Sequence, residues 1–336
     1  MDKNPTVVFI KPKEVVIEDR EVPVPKAGEL LIKTHRTLIS TGTELTILSG
    51  EFPPDSEWAR YGRFPFAPGY DNIGEVVGVG PDVGSDWIGR RVATYGPHAL
   101  YVVASAKSAR LVHRDGVSDE QAVFFTIAEI VMNGVRRGNV RWGEAAAVYG
   151  LGLLGQLAVR FCRLCGARPV VAIDVADSRL KLLPKDAAII AVNAKQEDVV
   201  SMVEKATRGR MADVVFELTG DPALIPGEFK VLKRQGRFVV LSSPRGRTLF
   251  DFHDLCNSPS FTIIGAHNRS HPQYETPENP WTNHRHAELF FDIVADGELA
   301  IGPLISHRER YTEAPLLYRM LLSDRSMAMG VILEWS

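Results

Sequence analysis

Gly150-Leu151-Gly152-Leu153-Leu154-Gly155 is the stretch whose reading decides the fold. Ahead of it runs Ala145-Ala146-Ala147-Val148-Tyr149, apolar and of strand length. Behind it, Gln156-Leu157-Ala158-Val159-Arg160-Phe161 carries apolar residues at helical spacing. A second apolar run, Pro169-Val170-Val171-Ala172-Ile173, ends in Asp174. The order is strand, glycine turn, helix, strand, acid. Such glycines permit a tight turn, close backbone approach to a pyrophosphate and close packing of helix on strand. Free N–H groups at the start of the helix favour an anion. Asp174 stands 19 residues past Gly155, where a carboxylate accepts from a ribose 2′-hydroxyl. The whole unit predicts a dinucleotide site. A strand–helix turn without a ligand is the alternative, and the two strands and the acid argue against it.

With 336 residues the chain is long for one core, and two domains are expected. Hydrophobic content of 45% and charged content of 24% are those of an ordinary globular enzyme. A net charge of −2 gives no electrostatic case for nucleic acid or an anionic membrane. No apolar run reaches the ~18 residues that span a bilayer. The opening MDKNPTVVFIKPKEV lacks the basic, apolar, small-residue order of a signal peptide. Three cysteines, Cys162, Cys165 and Cys256, are sparse and odd in number, so a reducing cytoplasm is expected. The Cys162-x-x-Cys165 pair falls inside the helix after the glycine turn, where cysteine behaves as a small apolar packer. No second pair completes a zinc site.

Residues 1 to about 120 read as strands broken by Pro and Gly turns: 7–10, 29–34, 73–80, 91–95 and 100–103. They suggest a partly open barrel. Helical patterning starts near Ser118-Asp119-Glu120-Gln121, a cap followed by acids. Strands are then expected at 145–149, 169–173, 188–192, 212–216, 237–242 and 260–265, with helices near 153–165, 177–182, 196–207 and 222–233. Six strands alternating with helices fit a doubly wound parallel sheet. Residues 266–287 form a long polar loop with His267, His271, His284 and His286. A loop this long points to a substrate lid or a solvated surface. No cysteine or fixed carboxylate pattern supports a metal there. A helix at 286–296 and a strand at 329–334 close the chain.

A β-rich N-terminal domain, a nucleotide-binding domain and a returning tail resemble the medium-chain dehydrogenase/reductase family over nearly the whole chain. The carriers are Ser40-Thr41-Gly42-Thr43-Glu44, Pro68-Gly69-Tyr70-Asp71-Asn72-Ile73-Gly74-Glu75-Val76 and Val148-Tyr149 with the glycine turn. The resemblance implies an α/β chain. It pairs a GroES-like, partly open β-barrel catalytic domain at 1–124 with a Rossmann doubly wound, parallel six-stranded sheet at 125–266. A lid-like loop and C-terminal return to the catalytic domain occupy 267–336. The departures bear on mechanism. Where zinc-dependent members carry Cys and His ligands, this chain has Thr41 and Tyr70. An ungapped count back from the glycine turn puts Phe125 at the third ligand position. The four-cysteine lobe expected after about residue 93 is missing, and Val92-Ala93-Thr94-Tyr95 leads straight to His98-Ala99-Leu100. No zinc is expected at either place. Ile39 to Glu44, Ser49-Gly50 and Pro68-Gly69-Tyr70 resemble a smaller branch that includes the bacteriochlorophyllide dehydrogenases.

The resemblance places Thr41, Phe125 and Glu129 in the substrate pocket, with His267 where the chain comes over the cofactor. Without a metal, side chains must take the hydroxyl proton and stabilise the alkoxide. Tyr70, Asp71, Glu44 and His98 are the candidates, with Glu129 as a further donor. Each has a structural alternative: a pocket wall for Tyr70, mutual loop anchoring for Asp71 and Glu44, a satisfied core histidine for His98. As a base, Tyr70 needs a neighbouring cation. Thr43 matches the hydroxyl that relays protons in zinc members, or is a turn hydroxyl bonding its own backbone. The cofactor is expected on Gly150, Gly152, Leu153, Leu154 and Gly155, with Asp174 favouring NAD. Arg179 keeps NADP as the alternative. Thr219 and Ser243, after later strands, are placed near ribose and nicotinamide. The reading is a zinc-independent, NAD-dependent dehydrogenase of a secondary alcohol on a sugar, cyclitol or glycoside. It has two alternatives, an NADPH-dependent enone or quinone reductase and an inactive nucleotide-binding protein. The expected partners are a small-molecule substrate and further copies of the chain as a homodimer or larger homo-oligomer, with no nucleic acid and no membrane.

Overall fold

The computed structural model describes residues 3–335. It divides into two units, Met1–Thr126 with Asn283–Ser336, and Ile127–Thr282. Along the first unit run β1 Lys3–Lys11, β2 Glu14–Glu21, β3 Glu29–Ile39, α1 Thr43–Ser49, α2 Glu57–Tyr61, β4 Asn72–Val79, β5 Arg91–Thr94, β6 Tyr101–Ser105, β7 Arg110–Leu111 and α3 Asp119–Ala122. Helix α4, Phe125–Arg137, leads into β8 Ala146–Tyr149, α5 Leu153–Leu164, β9 Val170–Asp174, α6 Asp177–Leu180, β10 Ile189–Asn193, α7 Val199–Ala206, β11 Ala212–Glu217, α8 Ile225–Glu228, β12 Leu232–Val240 and β13 Thr262–Gly265. The chain then returns to the first unit with α9 Asn283–Ala295, β14 Ile305–Arg310, α10 Ala314–Ser323 and β15 Gly330–Glu334.

In the first unit β1 and β2 form a hairpin, and a larger sheet runs β14-β15-β3-β4-β5-β7 with β6 also on β3. Alternation along β3 buries Leu30 and Ile32 against Val76, Val92 and Val102. The last strand pairs antiparallel with β3, setting Ile332 opposite Leu38, so the tail returns as expected. Beneath it, α1 and α10 pack Leu45, Leu48, Leu317 and Leu321 into one core with Phe9 and Trp335. The expected start near residue 118 is present as a capping box: Ser118 accepts from Gln121 N–H and the Gln121 side chain reaches back. Ser118→Ala removes one arm of it and is expected to lower stability by about 1 kcal/mol. Denaturant melts of the two proteins check this, and equal midpoints would sink it.

The second unit is a parallel six-stranded sheet in the order β10-β9-β8-β11-β12-β13. The winding reverses between β8 and β11, and in such sheets ligands bind at the carboxyl edge of that switch point. Strand positions fall where the sequence put them, except that β12 begins at Leu232 instead of 237. The helix expected over 222–233 is only α8, followed by a 3-10 turn at Phe229–Val231. Pro226 and Gly227 leave little helix to propagate. Phe229 instead stacks on Phe238 at 3.9 Å. The expected domain limits at 124/125 and 266/267 compare with unit limits at 126/127 and 282/283. The 266–282 stretch therefore belongs with the second unit. Arg136 lies over the Trp281 ring at 3.2 Å, and Asn133 donates to Ser270 Oγ at 2.8 Å. Cys162 is buried inside α5, in keeping with the packing role, whereas Cys165, the residue that ends the helix, is exposed and packs nothing into the core. Among the described residues no helix is long and apolar enough to cross a membrane.

Candidate functional site

In the second unit the glycine turn and the N-terminus of α5 form an anion cradle. Gly150 sits at φ +86°, and a Cβ there would stand 2.8 Å from the Leu218 carbonyl group. Gly155 is tighter still, since a Cβ would lie 1.9 Å from the Gly150 carbonyl oxygen. Around Gly152 nothing comes within 4 Å of a Cβ, so the backbone there is open to a ligand. No side chain caps α5, and its first N–H groups stay available. Leu153 is buried and Leu154 half-buried, holding the helix on the sheet. This donor set fits a pyrophosphate.

Asp174 ends β9 and does more than the sequence indicated. Its Oδ2 accepts from Leu151 N at 2.6 Å, and its Oδ1 from Val175 N at 2.7 Å and Ala176 N at 2.9 Å. Arg179 Nη1 lies 3.4 Å from the same Oδ2. The carboxylate thus ties the glycine turn to β9, and Arg179 is its ion pair. At the end of β11, Glu217 Oε1 accepts from Thr219 N and Thr219 Oγ1 at 2.7 Å and from Gly220 N at 2.8 Å. Ser242 Oγ donates to Glu217 Oε2. The Thr219 hydroxyl expected near the cofactor is therefore committed to Glu217. Ser243 is exposed, and its half-buried neighbour Ser242 makes the bond to that carboxylate. His267 Nδ1 accepts from Arg269 N at 3.1 Å, which caps its own turn. Burial, then Arg269, hold this imidazole below its usual range, so it is neutral at pH 7.

In the first unit a hydroxyl cluster backed by a buried anion occupies the start of α1. Tyr70 Oη donates to Ser40 Oγ and lies 3.3 Å from Thr43 Oγ1. Behind them Glu44 is fully buried. Its Oε1 accepts from Ser40 N at 3.0 Å. Its Oε2 pairs with His98 Nε2 at 3.1 Å and accepts from Tyr318 Oη. Gly69 makes the approach of His98 possible: at φ +108°, a Cβ would stand 2.7 Å from His98 N.

Tyr70 is not the base considered above. Burial and the Asp71 and Glu44 carboxylates push its phenol above the usual range, against hydrogen bonds to Ser40 and Thr43. The neighbouring cation that a base needs is replaced by two anions, so Tyr70 remains a phenol. Asp71 is fully buried, and its Oδ1 accepts from Thr126 N at 3.2 Å, anchoring the start of α4 in place of chemistry. His98 and Glu44 are turned on each other in the core, and neither is a surface proton acceptor. Phe125 is fully buried and stacks on Tyr95 at 5.5 Å, a core side chain and not a pocket wall. Glu129 is fully buried on α4. Thr41 is half-buried, and its carbonyl accepts from Arg325 Nη1 at 3.2 Å.

Zinc takes thiolate, imidazole or carboxylate donors. Thr41, Tyr70 and Phe125 offer two hydroxyls and a phenyl ring, and the three cysteines lie at 162, 165 and 256 in the other unit. These residues do not fit a zinc ion. Among the described residues no group of three His, Cys, Asp or Glu side chains is placed to hold a metal. Ser40, Tyr318 and Glu217 are functional candidates that the sequence reading did not weigh. Ser40 was visible within the Ser40-Thr41-Gly42-Thr43-Glu44 run. Tyr318, 274 positions from Glu44, had no local signal.

The family described as "Alcohol dehydrogenase GroES-like domain" matches residues 26–117, and that described as "Zinc-binding dehydrogenase" matches 154–281. An alcohol dehydrogenase of Cupriavidus necator is 25% identical, covering 97% of both chains. A D-guloside 3-dehydrogenase of Escherichia coli is 26% identical, covering 81% of this chain and 78% of its own. Among solved structures, an alcohol dehydrogenase of Escherichia coli in complex with NADH superposes with a TM-score of 0.82. It is 19% identical and covers 99% of this chain and all of its own, 100%.

Proposed function

The chain belongs to the medium-chain dehydrogenase/reductase family, and from that premise we propose a zinc-independent, NAD-dependent oxidation of a secondary alcohol to a ketone. The substrate class is a sugar, cyclitol or glycoside. The observation that carries this reading is the Tyr70–Ser40–Thr43 hydroxyl cluster, in which Tyr70 stands where the family resemblance implies a histidine ligand in zinc-dependent members. The dinucleotide would be held by Gly150, Gly152 and Gly155, the N-terminus of α5 and Asp174; when bound it supplies the hydride acceptor. Thr43 and Tyr70 hydrogen-bond the substrate hydroxyl. They act as a relay in which each hydroxyl gives one proton as it takes one, so that the alcohol proton passes out to solvent water while the hydride goes to the dinucleotide. No member of the relay has to ionise, which is consistent with a phenol held above its usual range. A polar pocket of this kind rejects analogues that lack the matching hydroxyl. The resemblance to a D-guloside 3-dehydrogenase supports a polyol class.

Asp174 supports NAD, since a 2′-phosphate beside a carboxylate is repelled and Arg179 is already paired with that acid. The three cysteines are free thiols, which supports a cytoplasmic setting. The exposed edge strand β13, with Ile263 41% exposed, supports assembly into a homodimer or larger oligomer through that edge. The deciding experiment is a fluorescence titration with NADH and NADPH, followed by a polyol and glycoside panel with NAD. NADH is expected to bind at least ~10-fold tighter, a difference of about 1.4 kcal/mol, and the panel to reduce NAD. Preference for NADPH with turnover of enones would replace the reading by a reductase. Tight NADH without turnover on any panel member would favour an inactive nucleotide-binding protein.

A further inference from the structure

We propose that Tyr318, on the C-terminal helix α10, is a positioning residue for Tyr70, acting through the Glu44 carboxylate and Ser40. The inference rests on the reading above, in which Tyr70 holds the substrate hydroxyl.

The linkage is continuous. Tyr318 Oη donates to Glu44 Oε2. Glu44 Oε1 accepts from Ser40 N at 3.0 Å, and Glu44 N donates to Ser40 O at 2.9 Å. Ser40 is thus clamped on both sides of its backbone by one residue, and its Oγ receives the Tyr70 proton. Tyr318, Glu44 and His98 are all essentially unexposed. A buried carboxylate is tolerated only when its oxygens are satisfied, and here three donors converge on it. A fully buried tyrosine in turn needs a partner for its hydroxyl. Helix α10 presents Ala314, Leu317, Tyr318 and Leu321 to the core that also holds Leu45 and Leu48 of α1. Just beyond α10, Arg325 donates to the Thr41 carbonyl at 3.2 Å. The C-terminal segment therefore grips the Ser40–Glu44 turn at two points. Its consequence is directional: with its proton committed to Ser40, Tyr70 turns an oxygen lone pair to the substrate and accepts from an alcohol. If Ser40 moves, that orientation is lost while the hydroxyl itself remains.

The test compares Tyr318→Phe, which removes one oxygen from a side chain of unchanged shape, with Glu44→Gln and with wild type. Steady-state kinetics across pH are run on the alcohol identified by the panel, together with NADH titration. Carbon-labelled tyrosine NMR supplies a readout that needs no turnover, with the Tyr70 ring resonance assigned by its loss in Tyr70→Phe. Both variants are expected to keep wild-type NADH affinity. Tyr318→Phe is expected to lower kcat by about 10- to 100-fold, the cost of a misplaced group, and to shift the Tyr70 resonance. An unshifted Tyr70 resonance with unchanged kcat and pH profile, whatever the melting temperature, would overturn the proposal. Should Glu44→Gln fail to fold, Tyr318→Phe decides alone. A wild type that turns over no alcohol, with a Tyr70 resonance that still moves in Tyr318→Phe, would sink the dehydrogenase reading and leave the positioning standing.

Discussion

Gly155→Ala is expected to abolish dinucleotide binding and to lower the stability of the second unit. The added Cβ would sit 1.9 Å from the Gly150 carbonyl oxygen, far inside any contact real atoms make. That oxygen is backbone, so relief requires the helix and the turn to part. Overpacking of this kind costs typically 1–3 kcal/mol, and the movement also spoils the aim of the N–H groups at the start of α5. A fall in NADH affinity of at least ~100-fold, about 2.8 kcal/mol, is expected. Gly152→Ala supplies the contrast. Its φ is −63° and nothing lies within 4 Å of the new Cβ. This variant should melt like wild type and yet bind NADH more weakly, because the methyl occupies the open approach to the turn. Titration and thermal melts of both proteins check the pair. Wild-type NADH affinity in Gly155→Ala would remove this turn from the site.

The same turn shows why half of the candidate site was legible in the sequence. Everything from β8 to Asp174 lies within one strand–helix–strand unit, and its constraints are local: a positive φ at Gly150, a close approach at Gly155, an acid at a strand end. Local pattern registers such things. It did not register that Asp174 spends its oxygens on Leu151, Val175 and Ala176, since a carboxylate reads alike whether it faces a ribose or three amides. The other half is assembled from distant segments. Glu44 meets His98 across 54 positions and Tyr318 across 274. Helix α10 was not anticipated at all, and Tyr318 had no motif to mark it. Tyr70 stands out in the sequence as a candidate, but its protonation is decided by burial together with Asp71 and Glu44. That is a property of packing, invisible to spacing. At α8, the helix expected over 222–233 meets Pro226, Gly227 and the Phe229–Phe238 stack, and spans only four residues.

Glu228 carries a second large expectation, because α8 stops where its carboxyl is sealed in. The residue is 2% exposed, and neither oxygen has a hydrogen-bond partner among the described residues. Burial first, then the Glu217 and Asp221 carboxylates, push its acid up to about 9 from 4.5. The nearby Tyr149 phenol is raised as well, by burial and by Glu228. Glu228 is therefore a neutral acid in the folded protein at pH 7, and an ionised one in the unfolded chain. Between pH 4.5 and about 9 the unfolded state binds fewer protons, so stability falls as pH rises across that window. The slope approaches about 1.4 kcal/mol per pH unit from this residue alone. Below the lower limit both states are protonated, and the contribution is constant. Glu228→Gln keeps the shape and removes the titration. Its stability should be similar to wild type near pH 5 and exceed it by about 2–4 kcal/mol near pH 8, with a flatter profile between. Denaturant melts at several pH values measure this directly. Parallel profiles for the two proteins would mean that water or a partner reaches the Glu228 carboxylate and keeps it ionised. In that case acids held below their usual range dominate the pH dependence, among them Asp119, where burial is outweighed by His35 and Arg91, and Asp186, held by the Ala188 N–H and Arg163. Such a group acts with the opposite sign: the stability it contributes is present above the ordinary carboxylate range and is lost as pH falls. The two sources are therefore separable by the direction in which the melts move.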